Sequence, residues 1–145
     1  MIAELTNHGA APALERLVQF TEARQGVLAH SIANLSTPHF RPADLPVDEF
    51  QRKLGRAMDR RRADRSPRLG PLELSRGGGS LRFGRDRLEV EPVPRDENVL
   101  FHDRNNRDLD RLMQDLAENQ MAHGFAVTVL RKQFASLELA IRERI

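Results

Sequence analysis

The chain contains no cysteine, tryptophan or tyrosine, and its seven phenylalanines are its only aromatic residues. The lack of cysteine excludes a disulfide framework and a thiolate metal site, and it is compatible with any compartment. Hydrophobic residues make up only 39% of the 145 residues, which suffices for one domain with a modest core but not for two. We therefore expect part of the apolar surface to be buried against another molecule.

Targeting signals are also missing. The N-terminal stretch MIAELTNHGAAPALERL has no basic segment followed by an unbroken apolar run, so we predict no cleavable signal peptide. The chain has no run of about 18 apolar residues, so we predict no membrane-spanning helix. A protein of this kind that leaves the cytoplasm must use a route that reads no ordinary secretory signal.

The sequence offers no convincing catalytic set. The five histidines are scattered, at His8, His30, His39, His102 and His123. They have no histidine or carboxylate partner at metal-ligand spacing, and the stretch GGGS lacks the lysine of a phosphate-binding loop. We therefore predict that the protein is not an enzyme and has no catalytic, cofactor-binding or metal-binding residues.

The C-terminal residues carry the clearest pattern. Apolar and a few polar residues alternate in steps of three and four, at Met113, Leu116, Gln120, His123, Val127, Leu130, Phe134, Leu137 and Ile141. This heptad repeat predicts a helix over 105–145 with one stripe that faces a partner helix. We interpret Gln120 and His123 as a polar notch that fixes the register of that pairing. Asn105 or Asn106 is expected to cap the helix, with Asp108 in its first turn.

The length of this predicted helix is informative. It would measure roughly 60 Å, whereas a compact chain of this size has a diameter under about 40 Å. The helix must therefore kink or pack against other chains.

A second helix is predicted over 12–35, where Pro12 suits a first turn. Its apolar face includes Leu14, Leu17, Leu28 and Ile32, which we assign with the C-terminal stripe to an assembly interface. Thr21 and Arg24 interrupt that face. The helix ends in the stretch IANLSTPHFR, because a residue before proline is pushed out of the helical region.

The middle of the chain is less regular. We predict an extended arm and a short helix over 36–59, with the helix itself at about 46–59, after a flexible N-terminus at 1–11. Residues 60–104 are predicted to be a basic, partly disordered or β-hairpin excursion: LELSRGGGSLRF could turn at its glycines, and RLEVEPVP resembles an edge strand. The predicted fold is thus mainly α, with two long terminal helices that form a coiled-coil-like pair dependent on assembly, an extended arm and a short β-containing middle segment.

Positive charge is concentrated in that middle segment. Residues 51–87 hold twelve basic and four acidic residues, a local charge of +8. Arginine clusters attract phosphates, so a basic helical adaptor or regulator that binds nucleic acid through residues 52–68 is an alternative function. Stacking aromatics are missing nearby, and Asp59 and Asp64 dilute the cluster. A solvated basic surface, or contact with an acidic protein, is the simpler interpretation.

The stretch IANLSTPHFR resembles the N-terminal signature A-N-x-x-T-P-G-Y-[KR] of bacterial flagellar rod and hook proteins. The positions that correspond to the signature are Ala33, Asn34, Thr37, Pro38, Phe40 and Arg41, with Phe40 in place of the tyrosine. His39 stands where the family has glycine, from which we expect a turn that uses a non-glycine conformation.

The C-terminal segment is similar to the start of the last helix in the proximal-rod type of this family, D-G-N-N-V-D-[LI]. Asp103, Asn105, Asn106, Asp108 and Leu109 match it, and Arg104 replaces the glycine. The resemblance covers roughly residues 20–54 and 99–145.

This resemblance implies a structural subunit of the flagellar basal body that forms the proximal rod by helix–helix polymerisation. It also implies export through the flagellar type III apparatus without a cleavable signal, and a place in the periplasmic rod. The implied partners are other copies of the chain in a helical assembly, other rod proteins and membrane-ring or rod-junction proteins, with no small-molecule substrate and no nucleic acid. A secreted coiled-coil protein of another type III system is a third interpretation.

Two further expectations concern assembly. The extended arm after the break could lie against neighbouring subunits. One helix pair buries only part of each helix, while ordering about 60 residues costs on the order of 1–2 kcal/mol each in backbone entropy. We therefore expect the termini of the free subunit to be partly unfolded and to become ordered on assembly.

Overall fold

The computed structural model describes residues 9–63, 72–74, 80–83, 88–94 and 109–142. Within these residues the protein has three helices, α1 (Ala11–Ala33), α2 (Val47–Ala63) and α3 (Leu109–Arg142). It also has four short strands. One lies between α1 and α2 in the chain, β1 (Ala43–Asp44), and three lie between α2 and α3: β2 (Leu81–Phe83), β3 (Leu88–Val90) and β4 (Val93–Pro94). The predicted class, mainly α with a long C-terminal helix and a short strand-containing middle, is confirmed.

The first helix begins where proline predicted it. Pro12 lies in the first turn of α1, and the carbonyl of Ala10 accepts hydrogen bonds from the amides of Ala13 and Leu14. The helix ends at Ala33, two residues before the predicted end, because Asn34 closes it: the Asn34 amide donates to the carbonyl of His30 over 3.1 Å.

The second helix is longer than predicted. α2 runs to Ala63, four residues past the expected end at 59. Asp48 and Glu49 lie in its first turn, and three consecutive arginines, Arg60, Arg61 and Arg62, lie in its last. Carboxylates near the start and cations near the end both favour the helix dipole, so the arginines extend the helix rather than begin a loop.

The third helix is unbroken over its 34 residues, which corresponds to about 51 Å. Its proposed capping residues, Asn105, Asn106 and Asp108, lie outside the described residues, as do residues 1–8. α3 packs antiparallel on α1, since Asn119 contacts Thr21 while Asp115, earlier in α3, approaches Arg24, later in α1.

A small core lies on a second side of α1, about 100° around the helix from the side that packs on α3, because Phe20 lies in the core and Thr21 in the interface. The rings of Phe20 in α1 and Phe50 in α2 stack with centroids 4.1 Å apart and planes within 3°. Around them lie the buried side chains of Leu45, Ala57, Leu72, Leu74 and Leu81. The first helix is therefore the central element, with α3 on one side and α2 with the strands on an adjacent side.

The strands pair differently from the hairpin predicted around the glycines. Leu81–Phe83 pairs antiparallel with Leu88–Val90, so LRF pairs with LEV rather than with LEL. Residues 72–74 lie beside this hairpin with Leu72 and Leu74 buried in the core and carry no strand of their own. The glycines at 77–79 lie outside the described residues. The predicted strand RLEVEPVP is present as two pieces, because β4 pairs with β1 instead.

Candidate assembly surface

The predicted C-terminal stripe is divided between two environments. Five of its members are partly buried, namely Leu116, His123, Val127, Leu130 and Leu137, and four are exposed, namely Met113, Gln120, Phe134 and Ile141. The residues of α3 that are most deeply buried are instead Leu112, Asn119 and Ala126, which repeat every seven residues. The face of α3 that packs on α1 is thus rotated away from the centre of the predicted stripe.

The stripe residues of α1 lie mostly inside the protein. Leu14, Leu17 and Ile32 are partly buried, and Leu28 is fully buried. Leu17 packs against the core that Phe20 and Phe50 form. These side chains therefore contribute to the fold of a single subunit, and Leu28 presents no surface to another molecule.

A second apolar surface lies on the outer side of α3, where the heptad pattern did not predict one. Met121 and Phe125 are 68% and 66% exposed, and Leu139 is 61% exposed. At 100° per residue these three side chains lie on the face of α3 opposite Leu112 and Asn119. We call Met121, Phe125 and Leu139 the outer face. The sequence does contain the signal for the outer face, because its three residues share a second side of the helix, apart from the heptad stripe.

The C-terminal end of α3 extends past α1. In the register set by Thr21 and Asn119, the first residue of α1, Ala11, lies beside about residue 129 of α3. The last 13 or so residues of α3, about 20 Å of helix, therefore continue beyond the first turn of α1. This overhang carries Phe134, Leu139 and Ile141, all exposed.

The signature residues form the turn that ends α1. Asn34 donates its side-chain amide to the carbonyl of His30 over 2.9 Å, and the Thr37 amide donates to the carbonyl of Asn34 over 2.9 Å. The ring of Phe40 packs edge-on against that of His30, with centroids 5.7 Å apart. Ala33, Pro38 and Arg41 are exposed around this turn.

His39 corrects an expectation about this turn. Its φ of 60° lies in the left-handed region, so the backbone keeps a conformation that glycine adopts freely, although the residue is not glycine. The expectation of a non-glycine conformation was wrong. Histidine enters this region more often than most residues do, although it enters it less readily than glycine.

The arm after the turn packs on its own α1. The hydroxyl of Ser31 donates to the carbonyl of Ala43 and accepts from its amide, both over 3.0 Å. Pro42, Asp44 and Leu45 are buried. The expectation that this arm lies against neighbouring subunits does not hold for residues 42–45, because their side chains and hydrogen bonds are already used within the chain.

Polar residues form a layer in the interface between α1 and α3. The side-chain amide of Asn119 donates to the carbonyl of Thr21 over 2.7 Å, and the Thr21 hydroxyl lies 2.9 Å from Nδ1 of His123. His123 thus lies at a polar position in the helix pair, as its place in the heptad repeat suggested. The sequence pattern did not identify Asn119. Its signal was indirect: Thr21 interrupts the apolar face of α1, and a polar residue on α3 is expected opposite it.

An ion pair lies at the edge of this layer. The Arg24 guanidinium donates from Nε and Nη2 to the two carboxylate oxygens of Asp44, over 2.8 and 2.7 Å. These hydrogen bonds raise the pKa of Arg24, against the lowering effect of burial, and the charges of Asp115 and Glu118 add to the rise. The stabilisation is therefore present below the ordinary pKa of arginine and is lost only in strongly alkaline solution.

The basic segment is only partly free to bind anions. Lys53 forms an ion pair with Glu49 over 2.7 Å and donates to the carbonyl of Leu81 over 2.8 Å, so it supports the packing of α2 on β2. Arg52, Arg56 and Arg60 are exposed. Residues 64–71, which include most of the remaining candidate nucleic-acid segment, lie outside the described residues.

The described residues contain neither a metal-binding cluster nor a membrane-spanning helix. Over residues 9–63, 109–142 and the short stretches between them, no three histidine or acidic side chains lie close enough together to hold a metal ion. In the same part of the chain, no helix is both long and apolar enough to cross a membrane.

Paired long helices, a capped break after the first of them and an apolar outer face on the second define a mainly helical protein with a surface suited to association. No protein-family model matches the chain. A curated relative, the flagellar basal body rod protein FlgB of Borrelia hermsii, is 30% identical to it over 132 residues, which cover 88% of this chain and 91% of the relative. The chain belongs to the FlgB family of flagellar basal body rod proteins, as the two sequence signatures predicted.

Proposed function

We propose that this protein is a structural subunit of the proximal flagellar rod that polymerises through the outer face of α3. Membership of the FlgB family supports the role in the rod. The observation that carries the mode of assembly is the exposure of Met121 and Phe125 on a helix whose opposite side already packs on α1. A helix that is apolar on two sides is typical of the interior of a larger bundle.

Burial of the outer face would provide a substantial driving force. Each of its three side chains contributes roughly 1.5–3 kcal/mol on full burial, or about 5–9 kcal/mol per subunit as an upper bound. The loss of translational and rotational freedom on association offsets part of this. Many weak, repeated contacts of this kind suit a polymer in which each subunit has several neighbours.

The overhang of α3 gives such contacts a direction. The exposed side chains of Phe134, Leu139 and Ile141 lie at one end of α3 only, which suits a head-to-tail contact with a neighbour. Head-to-tail contacts that do not close into a ring generate a helical filament. The proposed rod is of this kind, and no catalytic step is part of the function.

The proposed partners follow from the family. They are further copies of this chain, other rod proteins and proteins of the junction between rod and membrane ring. Delivery through the flagellar type III apparatus without a cleaved signal, to a periplasmic rod, belongs to the same proposal. Neither the described residues nor the relative supports the nucleic-acid alternative.

The experiment is complementation of a strain that lacks the gene. Phe125→Asp places a charge in the outer face without touching the buried side of α3, so the variant should be expressed and exported but should form no rod and restore no motility. Gln51→Asp, at an exposed position of α2, is the matched control and should restore motility. A motile strain carrying Phe125→Asp would refute assembly through this face.

A further inference from the structure

The apolar residues between α1 and α3 do not by themselves select one alignment of the two helices. The buried positions Leu112, Asn119 and Ala126 repeat every seven residues, and the partly buried Leu116, His123, Leu130 and Leu137 repeat with the same period. A slip of α3 by seven residues along α1 would replace most apolar contacts with others of the same kind. Such a slip moves the helix by about 10 Å.

The polar contacts are not repeated in this way. A slip of seven residues in one direction would bring Ala126 beside Thr21, and in the other direction Leu112. In both cases the amide of Asn119 would lose the Thr21 carbonyl, and the Thr21 hydroxyl would lose His123. The Thr21 hydroxyl keeps its bond to the carbonyl of Leu17 within α1, but a buried Asn119 amide that loses its acceptor destabilises the slipped state. The apolar residues hardly distinguish the two states.

Arg24 is the residue of this layer that connects three elements. It lies in α1, it binds both carboxylate oxygens of Asp44 in β1, and its Nη2 lies 3.8 Å from Oδ1 of Asp115 in α3. Arg24 and Asp44 are each only 8% exposed. The slip that brings Ala126 beside Thr21 would put Ala122 in the place of Asp115 and leave Arg24 without its second carboxylate, which water replaces poorly at a buried site.

We propose that Arg24 is the residue that fixes the register of α3 on α1 and couples that register to the position of the arm. Buried ion pairs often contribute little net stability compared with apolar residues of similar volume, but polar residues in helix pairs can select one register. The register determines how far α3 extends past Ala11. It therefore sets the distance between the overhang and the rest of the subunit.

The test uses the absence of cysteine in the chain. Gln25→Cys and Ser136→Cys, both at exposed positions, place one spin label on each helix of the purified full-length protein. The distance between the two labels lies largely along the helix axis, so electron spin resonance distinguishes a slip of about 10 Å. We expect one narrow distance distribution for the protein with native Arg24.

The decisive variant is Arg24→Met combined with Asp44→Leu, which removes the ion pair without leaving either charge unpaired inside. We expect it to keep its helix content and to show a second population of distances, shifted by about 10 Å. Hydrogen exchange at the amide of Ala43, which donates to the Ser31 hydroxyl, should become faster, because the arm loses its contact with α1. Lys53→Met, which removes a partly buried cation outside the α1–α3 interface, should leave the distances unchanged.

Arg24→Lys separates charge from geometry, since lysine keeps the charge but cannot bind both carboxylate oxygens at once. We expect it to restore most of the native distance population, because Asp115 still attracts it. A single native distance in the folded Arg24→Met/Asp44→Leu variant would overturn the proposal. An unchanged exchange rate at Ala43 would overturn the coupling to the arm.

Discussion

At the scale of single residues, His39 shows how a turn keeps its shape when its usual residue is missing. The signature comparison identified the position correctly as one where glycine is expected, but it gave the wrong conformation. The hydrogen bonds of Asn34 and Thr37 on one side, and the buried arm on the other, hold the backbone at a φ of 60°. Those constraints come from contacts that a local pattern does not contain.

Replacement of His39 by glycine should stabilise the protein. A left-handed conformation costs a non-glycine residue on the order of 1–2 kcal/mol, so glycine removes this strain from the folded state. The greater freedom of glycine in the unfolded chain opposes the gain by about 0.4–1 kcal/mol. We expect His39→Gly to raise the free energy of unfolding by ~0.5 kcal/mol, measured by urea denaturation. His39→Ala is the control and should give no gain, since alanine is strained in the same way.

The stacked pair of Phe20 and Phe50 is the largest aromatic contact of the described core. Phe50→Ala should lower the free energy of unfolding by about 3–5 kcal/mol, because it removes a fully buried ring and leaves a cavity. Phe125→Ala is the matched control, since the same change at an exposed ring should alter the stability by no more than about 0.5 kcal/mol. Equal losses for the two variants would contradict the assignment of core and surface.

At the scale of elements, the sequence predicted the presence of helices better than their faces. The heptad repeat identified α3, and proline with the acidic first turn identified α2. The repeat could not show which stripe packs on α1, because α3 carries apolar residues on more than one side. The burial of Asn119 depends on a carbonyl of α1 that only the folded protein brings near.

The sequence indicated that short strands are present, but it did not indicate which strands pair with each other. Local alternation indicates a strand, whereas the pairing of β4 with β1 joins positions about 50 residues apart. A two-residue strand has too little pattern to specify such a partner. The same limitation applies to the arm, whose position on α1 depends on the polar side chains of Ser31 and Arg24.

The overhang of α3 should be the least protected part of that helix in the free subunit. Helical segments without a packed neighbour open readily, since their stability comes mainly from tertiary contacts. We expect amides 134–142 to exchange rapidly in dilute protein and slowly in the assembled rod, as measured by hydrogen exchange with mass spectrometry. Amides 112–126, which pack on α1, should be protected in both states. Equal protection of the overhang before and after assembly would argue against its part in subunit contacts.

At the scale of the whole molecule, the protein combines a small core with exposed apolar side chains on α3. Among the described residues, α1 packs on two sides, against α3 and against the core around Phe20, whereas α3 packs on one side only. The low aromatic and hydrophobic content predicted that part of the surface would need a partner. It could not identify the outer face, because the position of that face depends on which side of α3 meets α1.

The central claim is that this outer face becomes buried when the subunit joins the rod, and thiol labelling tests it most directly. Since the chain has no cysteine, Phe125→Cys provides a single reactive thiol. A maleimide should label it readily in the free, folded subunit and in denatured basal bodies, but hardly at all in intact basal bodies. Labelling at the same rate in the free subunit and in intact basal bodies would contradict assembly through the outer face of α3.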